Sequence, residues 1–137
     1  MAGGDLIVID ASAVVALVAT RDRVGDHVAR RLTGAALHAP HSMPIEVDSA
    51  LRGLAAGGRL SAPQADAARR QARDLPIDLW PWHLLSDRAW ELRHNLTTYD
   101  AGYIALAEEI GGTVLTADAR MAQAPGLRCA VEIARAP

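Results

Sequence analysis

The 137-residue chain contains no lysine, no phenylalanine and only one cysteine, Cys129. A lone cysteine excludes an internal disulfide and fits a reducing cytosol. Without lysine, all 14 basic side chains are arginines, so every cationic contact is a guanidinium suited to bidentate phosphate binding. There is no excess of positive charge either. The formal net charge of -2 lacks the footprint expected of a general nucleic-acid binder, although a local basic patch would suffice for one. Long hydrophobic runs are missing as well. LIVIDASAVVALVA, the strongest candidate, has no basic lead, is interrupted by Asp10 and is too short to span a bilayer, so a soluble chain is expected.

What is present is a hydrophobic half and 22% charged residues, the balance of an ordered globular chain of one-domain length spanning residues 1–137. LIVI (6–9), ALHAP (36–40), IDLW (77–80), TVLT (113–116) and CAVEI (129–133) read as short strands. Between them lie helical stretches. ASAVVALVAT precedes a helix from about Val24 to Leu32, and MPIEVDSALRGLAAG ends at Gly57-Gly58 with a left-handed glycine cap. Ser61 caps the next helix, with Pro63 in its first turn and Gln64 at the capping-box position. LSDRAWELRHN, TTYDAGYIALAE and the short ADARMAQA complete the set. This alternation predicts an α/β domain of three layers, α/β/α, around a mostly parallel central sheet.

In open parallel sheets, sites form at the carboxyl ends of the strands. Asp10 follows LIVI directly and Asp118 stands two residues after TVLT, so both belong to that rim. Taken singly, each reads equally as a helix N-cap. TTYDAGYIALAE carries an apolar stripe of Tyr99, Tyr103, Leu106, Ala107 and Ile110. At helical spacing Asp100 lies about 20° from Ala107 and about 40° from Ile104, facing inward beside that stripe. On the helix of MPIEVDSALR, Met43, Val47, Ala50, Leu51 and Leu54 form the expected buried stripe. Glu46 lies about 40° outside Ala50, while Asp48 lies about 200° round from Glu46, toward solvent.

Four unpaired acids at one rim repel one another, and a hard cation with oxygen ligands resolves that repulsion. Mg²⁺, or Mn²⁺ in its place, keeps several waters, needs only one or two carboxylates and suits chemistry on phosphates. Ser12 and Thr116, each two residues from a rim aspartate, are placed to orient those acids or to serve as ordinary capping hydroxyls. Arg93, leading toward Asp100, is a candidate phosphate contact or a helix-end arginine favoured by the dipole. His38 and His41 have a metal-like spacing but lack a third ligand in sequence. Trp80, Trp82 and Trp90 read as packing residues before stacking platforms, and Arg69, Arg70 and Arg73 as a solvated basic face.

VIDASA, PIEVDSALR, TTYDAGYIALAE and LTADARM, in that order, resemble the acidic motifs of PIN-domain ribonucleases, specifically the VapC toxins of bacterial toxin–antitoxin pairs. The resemblance covers nearly the whole chain. It implies a Mg²⁺-dependent endoribonuclease, cytoplasmic and usually dimeric, held inactive by a cognate VapB-type antitoxin. Residue by residue, it matches Asp10, Glu46, Asp100 and Asp118 to the family's acidic quartet, and Ser12 and Thr116 to its hydroxyls. Asp10, Asp100 and Asp118 then become the expected metal ligands, with Glu46 as holder of a water or general base. Ser49 departs from the pattern, since many relatives carry asparagine there. Two rivals stand beside this reading. A Mg²⁺-dependent phosphotransfer domain using Asp10 would want a lysine for the phosphate. A catalytically silent PIN-like interaction module would be favoured by loss of a quartet acid, and all four are present.

Overall fold

The computed structural model describes residues 4–20 and 22–135. Five strands, β1 (Leu6–Ile9), β2 (Ala36–Pro40), β3 (Ile77–Trp80), β4 (Thr113–Thr116) and β5 (Ala130–Ile133), form one sheet in the order β3-β2-β1-β4-β5. Every pairing is parallel, so the sheet is wholly rather than mostly parallel. β1 and β4 lie at its centre, which is why LIVI is apolar throughout and Ile7, Val8 and Ile9 are fully buried. Helices cover both sides, giving the expected three layers.

The chain runs outward from β1 through α1 (Ala11–Val15) and α2 (Arg23–Leu32) to β2, then through α3 (Met43–Ala56) and α4 (Ala62–Asp74) to β3. Right-handed crossovers in one direction stack these helices on one face, and α1 packs on both α3 and α4. From β3 the chain returns through α5 (Ser86–Glu91) and α6 (Thr98–Ile110) to β4 on the far side of β1. That reversal makes β1/β4 the switch point of the sheet, the place where such folds open a crevice at the strand carboxyl ends.

Several local expectations are corrected. ASAVVALVAT is not one α-helix: α1 ends at Val15 and Ala16–Thr20 continues as a π-helix. A Cβ on Gly25 would lie 2.5 Å from the Ala16 carbonyl oxygen, so α2 approaches this wide turn at a distance only glycine permits. At the end of α3, Gly58 (φ 76°) takes the left-handed conformation and Gly57 does not. α3 buries Met43, Val47 and Leu51, whereas Ala50 is exposed. LSDRAWELRHN is helical only over Ser86–Glu91, and ADARMAQA contains a 3₁₀ turn, Ala119–Gln123. The capping box at Ser61 and Gln64 forms in full, with bonds of 3.2 and 2.8 Å.

α6 differs most from its reading. Residues 101–107 are all buried and Tyr99, expected in the stripe, is exposed. The helix crosses β1, β2 and β4 and packs on α5, so it has no solvent face along its middle. Ala101, Gly102, Ala105 and Ala107 permit that close approach, and a Cβ on Gly102 would meet Trp82 at 2.9 Å.

Candidate active site

Asp10 leaves β1 at the switch point, its backbone N–H donating to the Leu115 carbonyl of β4 at 3.1 Å. The side chain is 4% exposed. Oδ1 accepts from Ala13 N at 2.9 Å, which makes Asp10 the N-cap of α1, and from Ser12 Oγ at 2.7 Å. Oδ2 accepts from the Thr116 hydroxyl. Thr116 Oγ1 accepts from Asp118 N at 3.0 Å, and Ser12 Oγ accepts from Ala117 N at 2.9 Å. Ser12 and Thr116 thus both donate to Asp10 and tie the end of β1 to the turn after β4; the Asp118 carboxylate receives no bond from either.

The N-cap reading is true of Asp10 and does not account for its charge. Burial pushes this carboxyl above its ordinary range, against hydrogen bonds from Thr116, Ser12 and Ala13 that pull it down; nearby Asp100 adds to the rise. Glu46, in the first turn of α3, is half-buried. Burial raises its affinity for a proton, and Asp100 and Asp10 raise it further, while Tyr103 and Ser42 hold the charged form. Tyr103 Oη donates to Glu46 Oε1 at 2.8 Å. Asp100, in the first turn of α6, is also raised by burial and then by Asp118. The four acids therefore interact as one group with Asp100 in the middle: it is felt by Asp10 and by Glu46 and itself feels Asp118.

Asp118 alone is compensated. Arg120 donates from Nε to Oδ1 at 3.1 Å and from Nη2 to Oδ2 at 2.9 Å, and this fork holds the Asp118 carboxyl below its ordinary range. Asp100 and Asp118 line a cleft of about 200 Å³ with Asn95, Leu96, Thr97, Arg120 and Met121. Beyond Asp10, Ser12, Glu46 and Ala117 open onto a wider groove of about 550 Å³ bordered by the π-helical turn.

The donors are all oxygens, three of them acids that repel one another with no ion-pair partner among the described residues, and that set fits Mg²⁺ or Mn²⁺. Among the described residues no three acids, histidines or cysteines already converge as a closed ligand cage. The fit is therefore to an ion held by one or two carboxylates and water.

Other expectations fall outside this group. Arg93 lies over the Trp90 ring, 4.6 Å from its centroid, and lines a separate cleft with Trp82, Asp87 and Thr98. Asp48 does not simply face solvent; it pairs with Arg69 of α4 at 3.0 Å. His38 Nδ1 accepts from Trp80 Nε1 at 3.0 Å. Two residues of the site go beyond the sequence expectations. Tyr103 has the spacing of the apolar stripe, although a buried phenol needs a partner, and Arg120 belongs to a short helical stretch two residues from Asp118.

A PIN-domain family model matches residues 7–127. A VapC ribonuclease of Mycobacterium bovis, Mb0985, is 38% identical over 129 residues, covering 93% of this chain and 98% of its own. Ribonuclease VapC1 of Mycobacterium tuberculosis is 37% identical over 132 residues, covering 96% and 99%. The crystal structure of PAE2754 from Pyrobaculum aerophilum shares the fold with a TM-score of 0.67 at 24% identity, covering 96% of this chain and 87% of that one. With the PIN model spanning most of its length and VapC ribonucleases matching it nearly end to end, the chain belongs to the PIN-domain family, among the VapC ribonucleases.

Proposed function

We propose that the chain, as a single PIN domain over residues 1–137, is a Mg²⁺-dependent endoribonuclease that hydrolyses RNA phosphodiester bonds at Asp10, Glu46, Asp100 and Asp118. The observation that carries this is the trio of Asp10, Glu46 and Asp100, raised by burial and by the neighbouring acids, with no ion pair to any of the three among the described residues and only the field of Arg120 offsetting part of the rise at Asp100. Such an arrangement costs stability and makes sense where a divalent cation completes it. Asp10 and Asp100 are the first choice of ligands, with Asp118 joining directly or through water. A bound Mg²⁺ supplies a polarised phosphoryl oxygen and a more acidic water. Glu46 takes the proton from the attacking water; its raised proton affinity brings it toward the operating pH, and Tyr103 and Ser42 aim it. Ser12 and Thr116 hold Asp10 in one rotamer. The water oxygen bonds to phosphorus as the bond to the leaving ribose oxygen breaks, and that oxygen departs with a proton from solvent.

The reading extends to a toxin that works in the cytoplasm under a VapB-type antitoxin, supported by the VapC relatives. The antitoxin would quench the site by placing an arginine against the acids, two carboxylates being a bidentate match for one guanidinium. Exposed Ile45, Trp82, Leu84, Trp90 and Tyr99 offer apolar surface for that partner and for a homodimer. Among the described residues no helix is long and apolar enough to cross a membrane.

The test is RNA cleavage by the purified chain. Cleavage is expected with Mg²⁺ or Mn²⁺ only, and Asp100→Asn should abolish it with the fold intact by circular dichroism. Undiminished cleavage in excess EDTA would falsify the metal assignment.

A further inference from the structure

We propose that Arg120 is a built-in counter-ion which a divalent cation displaces from Asp118, and that the freed guanidinium then holds a phosphate oxygen of the RNA beside the scissile bond. This rests on the four-carboxylate reading above.

The other arginines placed by side-chain contacts are engaged elsewhere: Arg31 with Glu132 and Asp5, Arg69 with Asp48, Arg88 with Glu108, Arg93 on Trp90. Among the described residues Arg120 is the guanidinium that meets the acidic group. It grips both oxygens of Asp118, and its field reaches Asp100. A divalent cation drawn to Asp100 and Asp118 competes for the same lone pairs and repels the guanidinium at close range.

The exchange is easy because the pair is exposed. The Arg120 side chain is 87% accessible and Asp118 30%, and ion pairs in such surroundings are weak. The root of the side chain nevertheless stays in place. The Arg120 backbone N–H donates to Asp118 Oδ1 at 3.0 Å, and the next residue, Met121, is buried in the core. A released guanidinium therefore swings from a fixed point in the cleft shared with Asp100 and Asp118. RNA brings phosphates to that cleft, and the planar fork that fitted a carboxylate fits a phosphate equally well.

Two measurements test this, neither of them turnover. Mn²⁺ uptake without RNA, followed by the paramagnetic resonance of free Mn²⁺, is expected to tighten roughly two- to fivefold in Arg120→Ala, the range spanned by exposed ion pairs. Binding of a single-stranded 2′-O-methyl RNA at saturating Mn²⁺ should weaken in the same variant. Its dependence of log K on log salt should flatten by roughly 0.7, the loss of one phosphate contact on a single strand, and Arg120→Lys should keep the slope. Unchanged or weaker Mn²⁺ binding in Arg120→Ala overturns the exchange and leaves Arg120 as a residue that merely orients Asp118. Tighter Mn²⁺ binding with an unchanged salt slope overturns the phosphate contact. The underlying reading fails separately, and takes this inference with it, if the wild type takes up no Mn²⁺ or if Asp100→Asn takes it up undiminished.

Discussion

Replacing Asp10 by asparagine should do opposite things to stability and to activity. The carboxylate accepts from Ala13 N, Ser12 Oγ and Thr116 Oγ1, and all three bonds can survive the exchange. If the introduced amide keeps its oxygen toward Ser12 and Ala13, its NH₂ points at Thr116 Oγ1. That hydroxyl then accepts instead of donating and turns its own proton to Ser12 Oγ, which lies 3.2 Å away. Ala13, Ser12 and Thr116 all keep a bond, and only the second amide N–H is left without a partner among them. What changes is the charge. A hydrogen bond to an ionised acceptor is worth about 1 kcal/mol more than to a neutral one, so three bonds lose about 3 kcal/mol. The relief from burying a carboxylate is several kcal/mol. Because the Asp10 carboxyl lies above its ordinary range despite those bonds, burial is the larger effect.

The metal-free protein should therefore gain stability from Asp10→Asn at pH 7. In a domain of this size each kcal/mol gained raises Tm by roughly 3–4 °C, so the gain is read as a higher melting temperature. Asp10→Ala provides the contrast. Ser12 and Thr116 can still pair with each other, but Ala13 N loses its acceptor, at about 1–3 kcal/mol for a buried group, and a small cavity opens. Cleavage should fall at least about 10²–10⁴-fold in both variants. The assays are thermal unfolding in EDTA and single-turnover cleavage in Mg²⁺. Should Asp10→Asn melt below the wild type and still cut RNA, Asp10 would be a helix cap and nothing more.

Two other outcomes follow from the same electrostatics. Asp10, Glu46 and Asp100 are all raised in the folded protein, so the stability they contribute is present below their unfolded values and lost as pH rises through the folded ones. Tm in EDTA should accordingly fall from the ordinary carboxylate range toward neutrality, and Mg²⁺ should restore more at pH 7.5 than at pH 5; a metal-induced shift of equal size at both would refute the linkage. Asp118, which Arg120 holds low, acts in the opposite sense, its stability being lost only as pH falls below the ordinary carboxylate range. Glu46→Gln should cost about 10²–10⁴-fold in single-turnover rate at saturating Mg²⁺. Asp48→Ala breaks only the half-exposed pair with Arg69, so cleavage should stay within a few-fold and stability within about 1 kcal/mol; a dead Asp48→Ala beside an active Glu46→Gln would redraw the site.

Much of the fold was legible because its signals are local. LIVI is a continuous apolar run and TVLT a mostly β-branched one, each flanked by turn residues, and the Ser61–Gln64 box announces its helix in four letters. What was not legible depends on partners remote in sequence. Tyr99 was assigned to the stripe of α6 because angular arithmetic presumes one buried face, and a helix covered on all sides along its middle offers no such contrast. The π turn after α1 has no composition of its own; Gly25 crowding the Ala16 carbonyl from α2 accompanies it. Asp48 had the right angle and the wrong surroundings, because α4 and its Arg69 lie where open solvent was expected. At the site, the four carboxylates are legible as clustered acids, and the two residues that manage them are not. Tyr103 looked apolar by its spacing, and Arg120 is basic.

The convergence itself follows from topology. Asp10 and Asp118 come from strands more than 100 residues apart in sequence but adjacent in the sheet, with Ile9 in register with Leu115. Glu46 is carried to the rim by the crossover on one face, and Asp100 by the returning crossover on the other. Only at the switch point can side chains from both helical layers meet over the same strand ends. The surrounding apolar core makes the resulting repulsion tolerable: β1, β4 and the middle of α6 are almost wholly buried, and their packing outweighs a few kcal/mol of unfavourable charge. The same burial keeps water from screening the acids and so preserves their attraction for a cation. Diluting that charge should make the metal-free protein more stable and a poorer nuclease, since both properties issue from one electrostatic field.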